Sequence, residues 1–63
     1  MALNTLPNIA DADGFYDELL RAHDGLDKAQ SDALQARLVL ILANHIGEDA
    51  VLRQALEAAR RGV

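Results

Sequence analysis

The stretch that decides the fold is Arg37-Leu38-Val39-Leu40-Ile41-Leu42-Ala43-Asn44-His45-Ile46-Gly47. Six apolar residues follow one charged residue, and only then do Asn44 and His45 appear. A helix on the surface of a globular protein keeps a polar face. This segment has none for almost two turns, so it reads as the buried half of a helix. Toward the amino terminus, Ala33, Leu34 and Arg37 alternate with Ser31, Asp32 and Gln35, which makes the first half of the same helix amphipathic. Asp27 and Gln30 have capping-box spacing at its start, and Gly47 supplies the stop. The spacing predicts a helix over 28–46, about 28 Å long at 1.5 Å per residue.

Two shorter helices flank it. Asp11 is a plausible N-cap and Asp13 suits the positive end of the helix dipole. Phe15, Leu19 and Ala22 then form an apolar stripe, with Tyr16, Leu20 and His23 beside it. Gly14 lowers helix propensity there by about 1 kcal/mol relative to alanine. His23-Asp24-Gly25-Leu26 is a stop signal, so this helix is predicted over 12–24. After Gly47, Glu48 and Asp49 open a third helix over 49–61. Val51, Leu52, Ala55, Leu56 and Ala59 line one side of it; Arg53, Gln54, Glu57 and Arg60 cover the other. Glu57 is spaced to pair with Arg53 and Arg60, for a few tenths of a kcal/mol each. Residues 1–10 hold Pro7 and no sustained period, and read as an extended arm. Leu3, Leu6 and Ile9 are spaced to tuck onto a core, with Ile9 placed to staple the first helix. The expectation is an all-α, three-helix domain with a long central helix and an N-terminal arm, successive helices packing antiparallel across short connections.

Composition bounds the function. Sixty-three residues make one domain near the lower limit for independent folding. Such chains usually need disulfides, a metal or oligomerisation, and the absence of cysteine removes disulfides and thiolate zinc sites. That absence fits a reducing cytoplasm. The aromatic fraction of 3% and the abundance of alanine and leucine favour helix over sheet. With a net charge of −4 and no large basic cluster, nucleic acid is not an expected partner. The adjacent Arg60 and Arg61 read as cations complementing a helix C-terminus. The 48–61 segment could imitate a recognition helix, but Arg53, Arg60 and Arg61 there face Glu48, Asp49 and Glu57. The opening residues lack the cationic start and long apolar core of a signal peptide. The run at 38–43 falls far short of the roughly 20 residues that span a bilayer. A cytoplasmic protein without a membrane partner is expected.

Two other helices can cover only part of the central one. Leu34, Leu38, Ile41, Leu42 and His45 share one broad face, and Val39, Leu40, Ala43 and Ile46 fill much of the rest. An exposed apolar patch of that extent seeks a partner. A homodimer is therefore expected, with Leu38, Val39, Leu40, Ala43, Asn44 and Ile46 as interface candidates. A monomer covered by its own arm and an obligate protein partner are the other readings.

The residues that carry chemistry are few. Imidazoles near helix ends bind metal, move protons or bond free carbonyls. His23 and His45 lie in no HExxH, ExxH or HxxxH spacing, although Asp24, Glu48 and Asp49 are close in sequence. Neither a metal nor a cofactor is expected. Asn44 and His45 inside an apolar helix must find partners or cost roughly 1–3 kcal/mol. They either fix the register of a seam or line a small pocket with Tyr16 and His23, the pocket being the alternative reading of a small-ligand or metal-binding protein. Ser31 has no base at a known spacing, and Asp11 with Asp13 reads as capping, not acid–base chemistry. No catalytic residue is expected, and the chain is not read as an enzyme.

Pro7-Asn8-Ile9-Ala10-Asp11, Phe15-Tyr16 with Glu18-Leu19-Leu20, His23 with Gly25-Leu26, Ala36-Arg37-Leu38-Val39 and Ala43-Asn44-His45-Ile46-Gly47 together form a pattern. The chain resembles, from about Leu3 to Ala59, a domain-of-unknown-function family of short bacterial proteins. Alanine stands at position 12, where many relatives are expected to carry proline; both suit a first helical turn. The resemblance supplies no catalytic residues. It implies an accessory role, linked to enzymes of aromatic-compound catabolism.

Overall fold

The computed structural model describes residues 2–63 and is all-α, with α1 at Ala12–Ala22, α2 at Lys28–Ile46 and α3 at Asp49–Arg61. Met1, the first residue of the predicted arm, lies outside the described residues.

Each boundary has a local cause. The Asp11 carboxylate accepts from the Gly14 N–H at 3.0 Å and opens α1. The helix ends at Ala22, two residues before the predicted limit. His23 and Asp24 donate to the Leu20 and Arg21 carbonyls in tighter i to i−3 bonds, and Gly25 takes a left-handed φ of 76°. At α2 both halves of the capping box form: the Gln30 N–H donates to Asp27 at 2.8 Å, and the Asp27 N–H donates to Gln30 Oε1 at 3.0 Å. Gly47, at φ 73°, ends the helix and donates to the Ala43 carbonyl at 2.8 Å. Glu48 is the N-cap residue of α3, so only Gly47 and Glu48 separate the two helices.

Packing is sparse. The backbones of α2 and α3 come together, but no Cα of α1 lies within 8 Å of a Cα of either other helix. The short connection at 23–27 therefore does not bring α1 down against α2 as expected; the two helices splay. Among the described residues Val51 alone is buried, at 8% exposure. Residues 2–9 form neither helix nor strand, and the Leu3 N–H donates to Gln54 Oε1 of α3 at 2.9 Å. That contact leaves Leu3 half-buried, while Leu6 and Ile9 stay exposed. Two exposed ion pairs, Asp17–Arg21 and Lys28–Asp32, each close at 3.0 Å one turn apart. Arg53 and Glu57 make no ion pair among the described residues. Arg60 and Arg61 do lie in the last turn of α3.

Candidate functional site

The splay of α1 from α2 opens an apolar groove of about 660 Å³. From α1 it takes Phe15, Glu18, Leu19 and Ala22, and Leu26 closes the end at the connection. From α2 it takes Gln30, Ala33, Leu34, Arg37, Leu38 and Ile41. The α2 members fall at spacings of one and three residues, so each has another three or four residues away and they form one strip along the helix. The α1 members follow the same rule. The groove is what remains when two amphipathic faces are aimed toward each other and do not close.

Phe15 is 45% exposed and Ile41 65%, whereas Leu19, Leu34 and Leu38 are half-buried. No residue of the arm lines the groove. Its two charged residues, Glu18 on α1 and Arg37 on α2, are both exposed. Neither side chain makes an ion pair or hydrogen bond among the described residues.

Of the interface candidates from sequence, Leu38 lies on this groove. Val39, Leu40 and Ile46 fall outside it and are 61%, 69% and 52% exposed. Ala43 is half-buried and Asn44 exposed. The groove also uses Glu18, which the sequence left without a role, and Phe15 and Leu19, which it marked only as members of an apolar stripe. Their signal was present, but a stripe wide enough to bury reads as a stripe already buried.

The histidines separate. His23 Nδ1 donates to the Leu19 carbonyl at 2.8 Å, and its Nε2 lies 3.3 Å from Gln35 Nε2 of α2. A carbonyl can only accept, so Nδ1 is the donor to Leu19, and the tautomer with its hydrogen there leaves Nε2 free to accept from the Gln35 amide. His45 is exposed. None of Tyr16, His23, Asn44 and His45 lines the groove. Among the described residues no three metal-ligating side chains gather. No helix is long and apolar enough to cross a membrane.

No curated protein and no solved structure matches the chain. A family model does match, over residues 3–61, nearly the whole length. The chain therefore belongs to the family described as protein of unknown function DUF2783.

Proposed function

We propose that this chain is a non-enzymatic interaction protein that works as a homodimer. One observation carries the reading: the isolated chain exposes far more surface than its mass warrants. Its accessible area is 5665 Å². A folded monomer of 6.8 kDa usually shows about 4,000 Å². The radius of gyration, 13.4 Å, likewise exceeds the roughly 11 Å of a compact chain of this length. The excess is about 1,700 Å² per chain. Removing it from two copies would bury roughly 3,300 Å², within the range of about 2,000–5,000 Å² for obligate dimers.

The apolar surface to be covered lies mainly on α2. Two strips compete for the seam: the groove strip, which includes Leu38, and the outer strip of Val39, Leu40 and Ile46, flanked by Ala43 and Asn44. Sedimentation velocity at micromolar concentration tests the reading. A species of twice the chain mass is expected; a compact, stable monomer would overturn it.

The resemblance extends this proposal to an accessory role beside an enzyme of aromatic-compound catabolism. Recovery of such an enzyme with tagged protein from its host, at fixed stoichiometry, tests that extension. Its consistent absence removes it.

A further inference from the structure

We infer that the groove between α1 and α2 is the seat of a second copy of this chain, the two copies closing face to face about a twofold axis with Glu18 of each paired to Arg37 of the other. The inference rests on the dimer reading and specifies its surface.

Three observations select this occupant. The first is area: the excess surface is what one partner of an obligate dimer removes, and the groove is where two apolar faces were left unclosed. The second is the absence of an internal cover. The arm is drawn to α3 through the Leu3 N–H and Gln54 Oε1, 2.9 Å apart, and none of its described residues lines the groove. The third is charge. A twofold interface is self-complementary: where residue i meets j of the partner, j also meets i. A surface carrying one acid and one base, each without a partner among the described residues, suits that rule, whereas two like charges would repel. Phe15, Leu19, Leu34 and Leu38 supply the apolar centre between those two pairs. The aromatic ring is the anchor type that such centres favour.

The Val39–Leu40 strip is the competitor. Neither residue lines the groove: at 100° per residue Val39 lies about 170° from the centre of the α2 groove strip and Leu40 about 90°, to its side. The opposite charges on the Val39 side, Lys28 and Asp32, are already paired with each other within the chain at 3.0 Å.

The test uses full-length protein and the charge swaps Glu18→Arg and Arg37→Glu. Both positions are exposed and make no side-chain bond among the described residues, so helical circular dichroism should be unchanged. Each single swap places like charges opposite each other twice, and should raise the dimer dissociation constant about tenfold or more. Mixing the two singles should restore a dimer, because the mixed pair has both contacts complementary. With one variant isotopically labelled, native mass spectrometry should show that heterodimer dominating. The double swap Glu18→Arg/Arg37→Glu should homodimerise like the wild type, and Leu40→Asp should stay dimeric.

A monomeric wild type at 100 µM (a concentration on the order of ordinary micromolar association) would overturn self-association and the groove seat together. A dimeric wild type whose single swaps still dimerise, while Leu40→Asp dissociates, would leave self-association standing and place the seam on the outer strip. Single swaps that fall apart, yet form no heterodimer when mixed, would overturn the reciprocal pairing.

Discussion

The imidazole of His23, at the end of α1, lies 3.3 Å from the side-chain amide of Gln35 on α2, while its other nitrogen holds the Leu19 carbonyl at 2.8 Å. One ring thus ties the last turn of α1 to the middle of α2. Neither residue lines the groove, so the tie lies beside it. Replacing His23 with alanine should cost about 0.5–1.5 kcal/mol, the net value of a hydrogen bond. Gln35→Ala should cost less, because its bond is the more exposed. A double-mutant cycle in urea should show the two coupled; additive costs would mean that the contact contributes nothing.

Gly14 looks like a simple weakness in α1, and its replacement by alanine should gain about 1 kcal/mol from propensity alone. A Cβ there, however, would fall against the Asp11 carboxylate, with Cγ only 2.7 Å away. The cap that opens the helix would have to move, and a lost cap costs about 1 kcal/mol. The expected change in unfolding free energy for Gly14→Ala is therefore close to zero. A gain approaching the full propensity value would show that the cap readjusts freely.

Gly47 presents the opposite case. The nearest obstacle to a Cβ is the Asn44 carbonyl oxygen at 3.6 Å, an ordinary contact. Its φ of 73° is nevertheless left-handed, and a side chain there costs roughly 1–2 kcal/mol. Gly47→Ala should destabilise by about that amount, and Gly47→Asn by less, since asparagine tolerates this conformation better. Thermal unfolding followed at 222 nm would order the three proteins.

Val51 of α3 is the best-buried residue described, and truncation to alanine removes most of its side chain. A loss of about 1–3 kcal/mol is expected from the burial of a valine-sized group. Breaking the exposed Asp17–Arg21 pair with Arg21→Ala should cost only about 0.3–0.5 kcal/mol. Denaturation midpoints of the two variants should differ clearly.

A dimer that covers about 1,700 Å² on each chain makes folding and association one equilibrium. The melting temperature should then rise with protein concentration, because mass action stabilises the associated native state. Scans across a hundredfold concentration range check this. A flat midpoint would mean that the chain is stable as the open, splayed monomer.

Reading the chain as all-α with a long central helix needed only local signals. Asp27 and Gln30 mark the start of α2 as they stand in sequence, and Gly47 marks its end. The first helix is overrun by two residues because His23 and Asp24 are compatible with helix, and only the tighter turn bonds show that the chain leaves it at Ala22. Candidate interface residues were legible as apolar positions on α2. The contribution of α1 was not, because a stripe such as Phe15, Leu19 and Ala22 has the same pattern whether it meets its own chain or another.

What the sequence determined by itself is therefore the set of helices, their caps and the surplus of apolar surface. Capping bonds, left-handed glycines and helical periodicity act over three or four residues and are written directly in the chain. Only the tertiary structure decided that the backbone of α3, and not that of α1, comes near α2, that Leu3 is held by Gln54, and that Glu18 and Arg37 share one open groove. Those outcomes depend on the angle at which two stiff helices leave a short connection. No local propensity fixes that angle; contacts between residues far apart in sequence do, such as His23 with Gln35 and Leu3 with Gln54.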